Sequence, residues 1–312
     1  MNQQHYEAAR HHAAIFAHDL LGVLQLTGSE RHTWLQGMVT NDVEKLKPGE
    51  SCYAAHLNAQ GKVVGQMTVF AAEDALWLLV EQVAIENLAA AFDRLIIMED
   101  VQLQNVSVEY SVLGLIGPKA SAVLQATAAK DYRLVRGEMG YDLIVAKSAA
   151  AGVSEALSAA GAVPIDEETW NVLRAESGIP LYGVDVDETT TMPELGQRGI
   201  SYDKGCYIGQ EVVARIKYIG HVNRRFVGFV CDGVDIPEVR SAVQVQGKDV
   251  GYITTGVFSP SVGKAIALGF VGRTAGEPGT EVVLAGKNGT VAARVAALPI
   301  VLLPSGPNPS AG

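Results

Sequence analysis

Between Phe226 and Val295 glycines and turn residues cut the chain into short apolar runs, and this restricts its fold more than any other feature. The runs are Phe226–Val230, Val243–Val245, Val250–Ile253, Ile266–Phe270, Val282–Leu284 and Thr290–Val295. None is long enough for a packed helix. Short, β-branched and aromatic runs at regular spacing read as a small all-β barrel or sandwich. The segment from Pro304 to Gly312 has the composition of a disordered tail. We therefore divide the chain into an α+β region at 1–218 with two subdomains, a β-barrel at 219–304 and a tail at 305–312.

Upstream the periodicity alternates. Strand-like stretches run from Leu21 to Leu26, Cys52 to Asn58, Val63 to Phe70 and Ala75 to Val80, with turn signals between them. Ile85, Leu88, Phe92, Leu95 and Ile96 then recur at helical spacing. A strand pair around Val101 and Val106–Val112 follows, then a helix after Pro118 and a hairpin around 136–142. A further helix spans Ala149 to Ala160, and another is capped by Asp166, carries Trp170, Leu173 and Arg174, and stops at Gly178. Ser29 reads as the cap of a helix containing Trp34, Leu35 and Met38. The order hairpin, helix, strand, helix occurs twice, which suggests two related α+β units. His5, His11, His12 and His18 lie among alanines near the start. With no carboxylate or cysteine at ligand spacing, they read as exposed imidazoles of a peripheral helix rather than as a metal site.

A net charge of −10 argues against a broad nucleic-acid surface and a stable nucleic-acid complex. Lys204, Arg215, Lys217, Arg224 and Arg225 make one local basic island, suited either to a polyanionic ligand tail or to solvent. Cys52, Cys206 and Cys231 are the only cysteines, and none forms C-x-x-C. Neither a disulfide framework nor a self-contained metal site is expected. No apolar run approaches the ~18 residues of a membrane span, and the start has no basic and apolar leader pattern. A cytoplasmic monomer is the expectation.

The octapeptide Lys204-Gly205-Cys206-Tyr207-Ile208-Gly209-Gln210-Glu211 concentrates reactive chemistry. A thiol becomes nucleophilic as thiolate, which a nearby cation or helix N-terminus favours. Lys204 precedes Cys206 by two residues, and Val212–Ile216 reads as a helix that Cys206 opens. Two readings stay open on the residues alone: a functional thiol, or a small buried hydrophobe.

KGCYIGQE resembles the signature of the YgfZ branch of the folate-binding aminomethyltransferase superfamily, and Arg215–Arg225 continues in the same way. Trp34–Val43 is similar to that family's amino-terminal box, and Val250–Gly256 to the barrel of the glycine-cleavage T-protein. The resemblance covers nearly the whole chain. It implies two interlocked antiparallel-sheet α+β units around a central folate-sized hole, a carboxy-terminal barrel, and tetrahydrofolate as cofactor. On this resemblance Glu138 matches the glutamate of the pterin-binding loop, although it also suits a plain hairpin. Trp170 matches an aromatic associated with folate, although its spacing also suits a core residue. Arg174 matches an arginine that faces the ligand. Asn58 and Gln66, in Asn58–Met67, complete the cofactor-binding candidates. A second family aromatic falls on Leu21. T-proteins carry two aspartates where this chain has Gly65-Gln66, and glutamine cannot act as a general base near neutral pH.

The resemblance thus implies a YgfZ-like protein supporting assembly or repair of iron–sulfur enzymes, with indirect effects on tRNA thio-modification. Cys206, assisted by Lys204, would be its working thiol, and apo-enzymes or cluster carriers its partners. The alternative is a tetrahydrofolate-dependent aminomethyltransferase of T-protein type or another one-carbon transferase.

Overall fold

A computed structural model describes residues 1–287 and 289–303, so the expected tail at 305–312 lies outside the described residues. The chain opens with α1 (Gln3–His11), followed by a strand, β1 (Ala14–Ala17), where the alanine-rich sequence predicts only a peripheral helix. The first sheet is then built from β2 (Leu21–Thr27), β3 (Ser51–Leu57), β4 (Val63–Ala71), β5 (Leu76–Glu81) and β6 (Gln102–Asn105), with α2 (Arg31–Gln36) and α3 (Ile85–Asp93) between them. Its strand order is β3-β4-β5-β2-β6. Ser29 does not cap α2. Its amide and hydroxyl both donate to Asp100, and Glu30 precedes the helix without a side-chain cap.

The second half of the α+β region comprises β7 (Tyr110–Ile116), α4 (Ala120–Ala126), β8 (Tyr132–Arg136), β9 (Gly140–Ala146), α5 (Ala150–Ala159) and β10 (Val163–Pro164). These strands form a second sheet in the order β10-β1-β7-β9-β8. β1 pairs antiparallel with β7 and parallel with β10, so this sheet is mixed rather than wholly antiparallel. Its β1 comes from before the entire first sheet, which interlocks the two units.

Side-chain alternation along the strands sorts residues into layers. In the first sheet Leu24, Leu26, Leu76, Leu78 and Val80 face α2 and α3, packing with Trp34 and Phe92. Val23, Phe70, Trp77 and Leu79 point the other way and meet Val112, Val135 and Ile144 of the second sheet. The second sheet covers its outer face with α4 and α5 through Leu113, Leu115, Leu143, Val123 and Leu157. The result is two sheets face to face with helices outside. At one end polar and aromatic side chains of the inner faces line a cavity.

α6 (Glu167–Ser177) is capped as expected: Asp166 Oδ1 accepts from the Thr169 amide at 2.7 Å, and Gly178 closes the helix in the left-handed region. Beyond it lie α7 (Gln210–Tyr218) and the barrel strands β11 (Arg224–Cys231), β12 (Ala242–Val245), β13 (Lys248–Ser259), β14 (Lys264–Gly272), β15 (Glu281–Gly286) and β16 (Gly289–Ala296). The barrel is closed in the order β11-β14-β13-β12-β15-β16. It packs Phe226, Val257, Leu268 and Phe270 against Trp170 and Leu173 of α6. Buried polar clusters pin the same joint. Arg174 donates to Asp185 at 2.7 Å and to Thr255 at 3.0 Å, and Asp185 accepts from Thr254 and Thr255. Glu176 accepts from Tyr6 at 2.8 Å and from Arg10 and Ser259. Among the described residues no helix is long and apolar enough to cross a membrane.

Candidate functional site

The gap between the inner faces is a cavity enclosing about 720 Å³ of space free of atoms, part of it open to solvent. One wall is aromatic. Phe16 and His18, at and just beyond the end of β1, lie with ring centroids 5.1 Å apart, and Trp170 of α6 stands 6.0 Å from Phe16 and 4.8 Å from His18. Leu21 also lines the cavity. The family aromatic missing at Leu21 thus has a ring nearby, supplied by Phe16 from the strand that the sequence reading had not separated. Burial pulls the His18 imidazole down to about 4, so at neutral pH it is an uncharged stacking surface.

The opposite wall is polar. Tyr53, Thr68 and Glu81 come from the first sheet, Glu138 from the turn between β8 and β9, and Asp142 from β9. Burial, reinforced by the charge of Glu138, raises Glu81 to about 7 and Asp142 to about 7. Glu138 pairs with Arg198, whose guanidinium also lies 5.6 Å from the Tyr53 ring centre. Tyr53 is held well above the usual phenol value, first by burial and then by the neighbouring carboxylate of Glu138. Gln66 stands behind this wall, 1% exposed. Its Nε2 donates to the Tyr53 hydroxyl, while its Oε1 is buried without a hydrogen-bond partner. An orphaned buried amide oxygen is costly.

The structure therefore brings Glu138, Trp170 and Arg174 to one cavity and sets Gln66 against it through Tyr53. Asn58 lies elsewhere. Its Oδ1 accepts from the amides of Gln60 and Lys62 at 2.9 and 3.0 Å, closing the turn between β3 and β4, and it lines a separate groove with Ile208. Phe16, His18, Tyr53, Glu81 and Asp142 are cavity-lining groups that the sequence alone does not single out, and Arg198 joins them through its ion pair with Glu138. The detectable signal among them is Glu81, a carboxylate that ends the apolar run Leu76–Val80.

The octapeptide departs from its expected geometry. α7 begins at Gln210 with Gly209 as its N-cap, so Cys206 lies before the first turn, beyond the short reach of the helix dipole. Lys204 is turned inward and 8% exposed. Its ammonium donates to the carbonyls of Gln36, Val39 and Asn41 at 2.7, 2.8 and 2.7 Å, which uses all three N–H groups. Burial lowers its pKa to about 8. The ammonium thus clasps the Trp34–Val43 box instead of flanking the thiol, and Ile208 N donates to Gly37 O at 3.2 Å in support. Gly209 adopts φ +83°, and a Cβ there would sit 2.7 Å from the Asn58 carbonyl oxygen. Cys206 itself is exposed, whereas Cys52 and Cys231 are pushed up by burial to about 12 and about 11. The basic island is dispersed. Lys204 is buried, Arg224 pairs with Glu194, Arg225 with Glu277, and Lys217 lies over the Tyr202 ring.

Residues 1–136 match the GCVT N-terminal domain and residues 224–301 the glycine cleavage T-protein C-terminal barrel domain. The aminomethyltransferase of Chloroherpeton thalassium is 31% identical across 85% of this chain and 81% of its own. That of Desulforamulus reducens is 29% identical across 94% and 88%. The crystal structure of glycine cleavage system aminomethyltransferase T from Bartonella henselae superposes with a TM-score of 0.87 at 21% identity, covering 96% of this chain and 89% of that one, which establishes a common fold. With sequence relatives and fold in agreement, the chain belongs to the folate-binding aminomethyltransferase family of the glycine cleavage T-protein.

Proposed function

We propose that this protein is a YgfZ-type member of the family that binds tetrahydrofolate in the cavity between its sheets and supports assembly or repair of iron–sulfur enzymes, with indirect effects on tRNA thio-modification. Residues 1–218 form the folate-binding region in this reading, and 219–304 the barrel. The observation that carries it is the amide of Gln66, joined through Tyr53 to the cavity wall, where the resemblance to T-proteins implies an aspartate. An amide can accept or donate a hydrogen bond but cannot take up a proton at neutral pH. The cavity chemistry suits a reduced pterin: an aromatic wall for the ring, and carboxylates for its N–H groups. Arg174, which also lines the cavity, is committed to Asp185, Asn171 and Thr255 and so shapes the site more than it offers a free charge.

Cys206 is the exposed thiol of the three cysteines, open to an apo-enzyme or cluster carrier. One cysteine cannot supply the four ligands of a cluster, so the cluster belongs to the partner. The test is complementation of a strain lacking the native gene, scored by a cluster-dependent enzyme. Loss of function with C206S supports the reading; full rescue rejects it. A second reading, aminomethyl transfer, is favoured by the names of the curated relatives. Turnover with an aminomethylated lipoyl carrier and tetrahydrofolate would establish it and displace the first.

A further inference from the structure

The position lost by Gln66 has a neighbour that can replace it. In the β4–β5 ladder Met67 stands opposite Val80 and Thr68 opposite Leu79. Carrying the register one step further sets Gln66 across from Glu81, with both side chains on the inner face of the sheet. On its other side Glu81 pairs with Leu21 of β2, which also lines the cavity. Glu81 is thus one strand removed from Gln66 and opens into the same space as Trp170.

We propose that Glu81 supplies the ligand-facing carboxylate that position 66 lacks, accepting a hydrogen bond from an N–H of the bound reduced pterin. The assignment rests on the reading of the cavity as a reduced-folate site. Glu81 has little else to do. Among the described residues its carboxylate accepts only from backbone amides, its own and, at a long 3.5 Å, that of Tyr182. The groups around it are Tyr53 on β3, Tyr182 beyond α6, Glu138 with its partner Arg198, Asp142 on β9, and neutral His18. None of these is a cation paired directly with Glu81, so burial holds its carboxyl near about 7 in the free protein. A ligand N–H would favour the ionised form.

The experiment is tetrahydrofolate titration of the full chain under anaerobic conditions, following tryptophan fluorescence, for the wild type and E81Q at pH 6 and pH 8. At pH 8 E81Q binds about 10- to 100-fold more weakly, the factor carried by a charge-assisted hydrogen bond. At pH 6 the gap narrows by about tenfold, because the wild type must first give up the Glu81 proton to form the same bond, while the other groups are common to both. Equal affinities at pH 8 overturn the Glu81 assignment and leave the folate reading intact. No binding by the wild type removes the folate reading and Glu81 with it. Calorimetry of the wild type in two buffers of different ionisation enthalpy provides a check without any variant. Binding at pH 6 releases a proton, and its absence overturns the proposal.

Discussion

Substituting methionine for Lys204 removes three hydrogen bonds at once and keeps the aliphatic stem in place. The wild-type ammonium ties Gln36, Val39 and Asn41 at 2.7, 2.8 and 2.7 Å, and it spans more than 160 residues of sequence to do so. Hydrogen bonds to a charged group contribute about 1.5–3 kcal/mol each when measured singly. Three sharing one donor are not additive, and methionine avoids the cost of burying an ammonium. The net loss in K204M is therefore about 3–5 kcal/mol, less than the sum for three buried carbonyls left without a donor at about 1–3 kcal/mol each. For a chain of this size class that lowers the melting temperature by at least about 6 °C. The assay is thermal melting paired with limited proteolysis, which should cut first within 36–42 and 199–208, where the clasp opens. Cys206 is exposed already, so its alkylation rate should change little. Melting within about 2 °C of wild type, with no new cleavage in those segments, would show that Lys204 is not a clasp.

Three further outcomes follow from the same geometry. In the native protein at pH 8, iodoacetamide should modify the exposed Cys206 well ahead of the half-buried Cys52 and the buried Cys231, whose thiols are held at about 12 and about 11; peptide mass spectrometry reporting Cys52 first would contradict this. Glu81 and Asp142 are both raised to about 7, so between their ordinary values and about 7 the folded chain holds more protons than the unfolded one, and these groups make stability fall as pH rises. Unliganded E81Q should accordingly melt no lower than wild type at pH 8 and show less advantage at pH 5; a drop of several degrees at pH 8 would argue that ionised Glu81 is stabilising. R174M leaves Asp185 buried without its cation and should cost about 3–5 kcal/mol, seen as a lowered denaturant midpoint in chemical unfolding; an unchanged midpoint would refute it.

The barrel and the hairpins were legible because short-range signals decide them. Glycine spacing, strand alternation and the Asp166 cap act within a few residues of themselves. β1 was not, since four apolar residues beside an alanine-rich helix carry no period of their own, and only β7 and β10 make Ala14–Ala17 a strand. Ser29 shows the same limit: serine caps helices by local habit, but Asp100, distant in sequence, claims it here. Nearness in sequence sets Lys204 beside Cys206, whereas its partners are carbonyls at the end of α2 and in the loop that follows it. Glu138 and Trp170 were found through resemblance. Glu81, Asp142 and Arg198 needed the two sheets to be laid face to face before they could be seen as one site.

The placement of β1 also governs how the chain can be made. During synthesis Ala14–Ala17 emerges long before Tyr110–Ile116, to which it pairs with Ala14 opposite Ile116. At about 5–20 residues per second, the strand waits roughly 5–20 s with Ile15 and Phe16 lacking a sheet to bury them. The first sheet can close during that delay; the second cannot. Phe16 is also one side of the aromatic wall, so the ligand cavity forms late, after the ribosome has passed residue 177 and α6 is complete. A nascent chain stalled before residue 110 would hold a finished first sheet beside an unpaired β1, and one stalled between 116 and 177 would have β1 paired with β7 but no binding site.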